Sequence, residues 1–312
     1  MKVGFIGLGT MGASMASNVQ KGGHALIVHD VRAEAAKPHL AAGAVWAATP
    51  RQVAEASEVV LTSLPGPTEV EAVALGADGL LAGMSTGKAY FDLSTNSPTV
   101  MRRIHAKFAE RGIPVLDAPV SGGPRGARTR KLAIWVGGDE ATLQRFKPVL
   151  DAMGDQVIRV GAIGAGSVAK LVHNMTTYCV QTALAEVFTL GVKAGVEPIE
   201  LWRAVRYGAS GRQRTFDRLA DGFLRGKYDP ANFALRLAHK DVSLAVALGR
   251  EHRVPMRVAN LVLEEMTEAL NRGWADRDSR SPMLLQEERA GVQVRADEAA
   301  IAKVLENDPP AS

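Results

Sequence analysis

The segment Val3-Gly4-Phe5-Ile6 runs straight into Gly7-Leu8-Gly9-Thr10-Met11-Gly12, an apolar strand followed by G-x-G-x-x-G and then a helical pattern from Met11 to Gln20. That order constrains the fold more than any other feature of the chain. Gly7 permits a tight turn, Gly9 lets the backbone approach a pyrophosphate with no Cβ in the way, and Gly12 lets the helix pack closely on the strand. The helix start offers its N–H groups and a partial positive charge to phosphates, a role to which Leu8, Thr10 and Met11 also contribute backbone. A second apolar run, Ala25 to Val28, leads to Asp30, 18 residues beyond Gly12, where a carboxylate is placed to accept hydrogen bonds from an adenine ribose. In a chain with 31 glycines the glycine pattern alone is weak, and the strand before it and the acid after it give it meaning. Asp30 repels a 2′-phosphate and favours NAD, whereas Arg32 can pair with that phosphate and keeps NADP possible.

Strand-length apolar runs alternate with helical patterns up to about residue 160: Val3 to Ile6, Ala25 to Val28, Val59 to Leu64, Ala89 to Leu93, Val115 to Leu116 and Leu132 to Val136. Strands separated by helices imply parallel pairing, hence an α/β Rossmann domain with a doubly wound sheet over residues 1–162. Beyond residue 165 the patterns are helical: Ser167 to Lys193, Pro198 to Tyr207, Leu235 to Glu251 and Pro255 to Asn271. An all-α C-terminal domain is therefore expected over residues 163–312, joined by a long interdomain helix, with Asn307 to Ser312 as a frayed tail. The 312 residues are 46% hydrophobic and 22% charged, a globular composition with no apolar run of membrane-spanning length. The single cysteine, Cys179, excludes a disulfide framework and a Cys-based zinc site, and no His/Asp/Glu cluster has metal spacing. With neither a signal core nor an amphipathic leader at the start, the reading is a cytoplasmic protein.

Three further segments concentrate residue types that chemistry needs. Asp117-Ala118-Pro119-Val120-Ser121-Gly122-Gly123 is a strand end running into a glycine turn, whose consecutive N–H groups and Ser121 hydroxyl suit a carboxylate. In Gly164-Ala165-Gly166-Ser167-Val168-Ala169-Lys170, followed by Asn174, the lysine and asparagine stand at i and i+4 and share one helix face. Lys240-Asp241 lies in a helix with Leu237, Leu244 and Leu248. Asp117 reads as a turn or helix-cap residue, His173 as a core or packing histidine, and Cys179 as an inert buried thiol.

In this order and spacing the motifs resemble the β-hydroxyacid dehydrogenase family, which includes 3-hydroxyisobutyrate dehydrogenase and tartronate semialdehyde reductase. Residues 4–17 look like its cofactor signature, Asp117 to Gly123 its substrate loop, Gly164 to Asn174 its catalytic helix and Lys240-Asp241 its C-terminal motif. Leu64-Pro65 and Asp92-Leu93-Ser94-Thr95 are similar to the segments bordering the cofactor. The resemblance implies hydride transfer between a nicotinamide cofactor and a small 3-hydroxy acid or its semialdehyde. It makes Lys170 the general acid/base and has Asn174 orient the substrate hydroxyl or carboxylate. Ser121, Gly122 and Gly123 would hold the carboxylate, and Lys240 would close the site on substrate and cofactor. Leu64, Pro65, Ser94 and Thr95 would line the dinucleotide. It also implies a homodimer or homotetramer. Two other readings are a non-catalytic dinucleotide-binding module and an imine reductase of the same fold; the presence of Lys170 and Asn174 disfavours both.

The chain departs from the family after the substrate loop, where Arg130 stands at a position usually held by a turn glycine. If the backbone there has φ > 0, arginine costs of order 1 kcal/mol unless something offsets the strain. Arg125, Arg128, Arg130 and Lys131, with no acid among them, carry the whole formal surplus of +4. Charge gathered in one segment beside a carboxylate loop indicates a small anionic substrate and argues against nucleic acid. Arg125 reads as a solvated loop arginine, with reach to a second anionic group of the substrate as the other reading; what Arg125 and Arg212 touch bears on that substrate, and the run Arg277 to Ser281 has no role assigned by sequence.

Overall fold

The computed structural model describes residues 1–193, 195–208, 211, 219–220, 222–251 and 256–307. Arg212 and the terminal residues 308–312 lie outside them. The chain divides into two compact units, Met1–His173 and Asn174–Ser312.

In the first unit the strands are β1 Lys2–Ile6, β2 Ala25–His29, β3 Val45–Trp46, β4 Val59–Thr62, β5 Ala89–Asp92, β6 Val115–Asp117, β7 Val120–Ser121, β8 Leu132–Gly137 and β9 Gly154–Gly161. Around them are α1 Gly12–Lys21, α2 Lys37–Ala41, α3 Pro50–Ala56, α4 Pro67–Leu75, α5 Leu80–Gly83, α6 Pro98–Ala109, α7 Gly123–Thr129 and α8 Glu140–Asp151. The sheet order is β3-β2-β1-β4-β5-β6-β8-β7, with β9 also paired to β8. Strands β3 to β6 along that order pair in parallel. The chain winds outward from β1 through β2 and β3, then returns to β4 on the other side of β1. The carboxyl ends of β1 and β4 are therefore a topological switch point, where such sheets leave a crevice.

Side-chain alternation covers both faces of the sheet. Val3 and Phe5 of β1 join a core with Leu61, Phe91 and Leu116, while Ile6 joins the opposite one with Val60, Tyr90 and Val115. Parallel pairing does not extend to β8, which runs antiparallel to β6 and β7. The residues between β6 and β8 are spent on β7 and the short α7, so the chain turns back at Gly122 and Gly123 (φ 131° and 59°) and makes no crossover. Strand β9 carries mostly exposed residues, among them Asp155, Gln156 and Arg159, and so lacks the apolar run that marks a buried strand.

The helix α9, Ala165–Lys193, passes through the division between the units. The second unit continues with α10 Pro198–Tyr207, α11 Leu235–Glu251, α12 Arg257–Asn271, α13 Met283–Ala290 and α14 Glu298–Asn307. Trp202, Phe188, Phe223, Leu224 and Ile301 are central to its core. The segment Arg277 to Ser281 is a structural tie: the N–H of Asp278 donates to the Tyr228 carbonyl, and that of Ser279 to Phe233. The buried Asp278 carboxylate accepts from the Asn232 N–H at 3.0 Å and from Arg280 Nε at 2.7 Å. Among the described residues no helix is long and apolar enough to cross a membrane, and no cluster of three His, Cys, Asp or Glu side chains could hold a metal ion.

Candidate active site

At the carboxyl end of β1 the backbone turns at Gly7 with φ 94°, and a Cβ there would lie 2.2 Å from the Ser63 carbonyl of the loop after β4. A Cβ on Gly12 would come within 1.9 Å of the Gly7 carbonyl, so only glycine lets α1 start this close to the strand. Gly9 differs, since a Cβ there would meet no atom within 4 Å: open space lies against its backbone. No side chain caps α1 and no acid lies in its first turn. A bare helix start beside open space fits the pyrophosphate of a dinucleotide.

Asp30 lies at the end of β2, and its carboxylate already has backbone partners. Oδ2 accepts from the Leu8 N–H at 2.7 Å and Oδ1 from the Arg32 N–H at 2.8 Å. The acid thus fixes the glycine loop from inside, and each oxygen keeps a lone pair for a ribose hydroxyl. The Arg32 guanidinium is exposed, with Nε 3.7 Å from Asp30 Oδ1.

The loops after β4 and β5 are joined by Ser94, which is buried and accepts the Leu64 N–H at 2.9 Å. Its hydroxyl therefore faces the neighbouring loop. Pro65 is exposed, and Leu64 and Thr95 are half-buried.

The substrate loop is tied to α9 at two places. Buried Asp117 accepts the N–H of Gly164 at 2.7 Å and of Ser167 at 2.6 Å, which makes it the cap of α9. Burial pushes its carboxyl above the usual range, and the donors at Ser167 and Gly164 only partly offset this. At the other end of the loop, Ser121 Oγ lies 3.1 Å from His173 Nε2. His173 is exposed and so not in the core, but it does pack, with its ring 5.0 Å from that of Trp135 on β8. Three residues along a helix is 60° around its axis, so His173 borders the face of α9 that carries Lys170. The contact with Ser121 depends on the path of the loop, which spacing along α9 does not specify.

Asn174 opens the second unit, and its Nδ2 donates to Asp241 Oδ2 at 2.7 Å, while Lys240 Nζ lies 2.9 Å from Asp241 Oδ1. Asp241 is buried in α11 alongside Leu235, Ala238, Val242 and Val246, so the buried stripe is not the half-buried one of Leu237, Leu244 and Leu248. An acid within an apolar stripe was the signal for Asp241. Cys179 is half-buried on α9, and burial pushes its thiol up.

Arg130 does occupy the left-handed region, with φ 62° and ψ 30°, at the end of α7. Its Nε donates to the Ala152 carbonyl at 3.0 Å, a tether absent from a glycine. Arg125 and Arg128 are exposed on the same helix.

Residues 2–164 match the family model for the NAD binding domain of 6-phosphogluconate dehydrogenase, and residues 164–285 match the one for NAD-binding of NADP-dependent 3-hydroxyisobutyrate dehydrogenase. The chain is 34% identical to 2-(hydroxymethyl)glutarate dehydrogenase of Eubacterium barkeri over 294 residues, covering 94% of this chain and 97% of that one. The structure of Mycobacterium tuberculosis 3-hydroxyisobutyrate dehydrogenase with L-serine superposes with a TM-score of 0.81 at 29% identity, covering 91% and 98% of the two chains. An imine reductase from Bacillus cereus shares the fold alone, with a TM-score of 0.61 at 18% identity over 91% of this chain and 98% of that one. The glycine loop and the substrate loop fall within the first match and the lysine helix within the second. The chain belongs to the β-hydroxyacid dehydrogenase family, oxidoreductases that use NAD, or alternatively NADP, on small hydroxy acids.

Proposed function

We propose that the protein interconverts a small 3-hydroxy carboxylic acid and its semialdehyde, with Lys170 as general acid/base. The observation that carries this reading is the 3.1 Å approach of Ser121 to His173, which fastens the carboxylate loop to the helix turn that bears Lys170. When bound, the nicotinamide accepts or supplies the hydride at the carbon that carries the oxygen. Lys170 Nζ takes the hydroxyl proton in oxidation and returns it to the carbonyl oxygen in reduction. Ser121 and the N–H groups of Gly122 and Gly123 hold the carboxylate, on a turn where both glycines have positive φ.

Asn174 orients the hydroxyl or the carboxylate: its Nδ2 spends one of two N–H groups on Asp241, which leaves the other N–H and the carbonyl oxygen for the substrate. The cofactor loops are Gly7 to Gly12, Asp30, Arg32, Leu64, Pro65, Ser94 and Thr95, with Lys240 contributing by resemblance. Asp30 makes NAD the preferred dinucleotide. We further propose a cytoplasmic homodimer or homotetramer, which sedimentation of the purified protein tests.

The deciding experiment follows NAD and NADP reduction by absorbance across 3-hydroxy acids that differ at C2, with wild type and Lys170→Ala. Turnover of at least one acid, falling by about 10²–10⁴ in the variant, is expected. No turnover with any acid, or full turnover in the variant, refutes the assignment.

A further inference from the structure

The buried carboxylate of Asp92, at the end of β5, is a junction that the reaction itself does not use. Its Oδ1 accepts from Thr62 Oγ1 at 2.8 Å and from the Ser94 N–H at 3.1 Å. Oδ2 accepts from Asn96 Nδ2 at 2.8 Å, and Asn96 Oδ1 in turn accepts the Ser97 N–H at 2.7 Å. Thr62 ends β4 and also meets the buried Tyr90 hydroxyl at 2.9 Å. Ser94, held by Asp92, holds the Leu64 N–H. The Asp92 carbonyl takes the Ala118 N–H at 2.7 Å, at the head of the substrate loop. The side-chain donors to this carboxylate are neutral, and burial pushes its carboxyl up. An acid kept dry on neutral partners is costly, so it contributes more to the shape of the loops than to stability.

We propose that Asp92 is a positioning residue for the dinucleotide: through Ser94 it sets the loop after β4 against the loop after β5, so that both present one preformed edge to the cofactor. This rests on the assignment of Leu64, Pro65, Ser94 and Thr95 to the cofactor. Asp92→Asn keeps the shape but turns one of the two oxygens into a donor, so the side chain can no longer accept from Asn96 on one side and from Thr62 and Ser94 on the other.

The test uses Asp92→Asn, Ser94→Ala, the double variant and Gly9→Val. NAD binding is measured by calorimetry, NAD kinetics at saturating hydroxy acid, and amide exchange of Leu64 and Ser97 without cofactor. Asp92→Asn should raise both Kd and KM for NAD by roughly 3–10-fold, the worth of one hydrogen bond, with kcat within about two-fold. Exchange at Leu64 should quicken before any cofactor is added. Ser94→Ala should do the same, and the double variant should be no worse than Asp92→Asn, because one acts through the other. Should Asp92→Asn fail to fold, Ser94→Ala carries the binding and exchange measurements. Unchanged NAD affinity in Asp92→Asn or Ser94→Ala while Gly9→Val abolishes binding overturns the positioning role alone. Unchanged affinity in Gly9→Val as well overturns the dinucleotide assignment and the proposal with it. Additive losses, or weaker binding with native Leu64 exchange, also overturn it.

Discussion

Asp117 on β6 receives the Ser167 N–H of α9 at 2.6 Å, so the strand that leads into the substrate loop also caps the lysine helix. Removing the carboxylate in Asp117→Ala leaves two buried N–H groups without their acceptor and should lower unfolding free energy by about 1–3 kcal/mol. Urea denaturation measures it. An unchanged midpoint would mean that α9 does not depend on this cap.

Ser121 and His173 should act as a pair. Each alanine variant is expected to raise KM for the hydroxy acid by roughly 3–10-fold, and the double variant should cost less than the product of the two. Strict additivity in kcat/KM would show that the two side chains work independently.

Asp30 has two separable roles. Loss of the Leu8 contact in Asp30→Ala loosens the glycine loop and weakens both dinucleotides alike, whereas loss of a ribose acceptor weakens NAD alone. The efficiency ratio of NAD to NADP should therefore fall by about ten-fold, the value of a hydrogen bond to a charged group. A constant ratio would leave only the loop role.

Arg130 retains an unfavourable backbone conformation and offsets it with the Ala152 hydrogen bond. Arg130→Ala keeps the strain and loses the bond, while Arg130→Gly loses both, so alanine should be the less stable by about 1 kcal/mol. Thermal unfolding of the two variants compares them directly.

Asp278 supplies a pH-dependent test. Burial raises its pKa, but the Arg280 guanidinium and the N–H groups of Arg280 and Asn232 outweigh burial and hold the carboxyl below its ordinary value. A depressed folded pKa gives stability that is present above the unfolded value near 4 and is lost as pH falls through the folded one. Asp278→Asn should thus cost about 1–3 kcal/mol at neutral pH, and the gap to wild type should narrow below about pH 4. A gap that is constant with pH would show that charge is not what Asp278 contributes.

The sequence by itself determined the parts whose signal is local. Gly7, Gly9 and Gly12 after an apolar strand, Asp30 after the next, and Lys170 one turn from Asn174 follow from chain spacing and from what a Cβ would obstruct. At Arg130 the sequence raises a positive φ only as a condition, through the resemblance to a family that usually has a turn glycine there, and the structure shows it. Strand β9 and the reversal of β8 were not legible, because an exposed edge strand has no apolar run and strand direction depends on how a fourteen-residue connection turns. Only the tertiary structure decided that Ser121 meets His173, that Asn174 meets Asp241, and that Asp92 gathers Thr62, Ser94 and Asn96. The contacts of Ser121 with His173, Asn174 with Asp241 and Thr62 with Asp92 join different elements, while Ser94 and Asn96 reach Asp92 through the path of the loop after β5; neither is specified by the spacing of residues along one helix or strand.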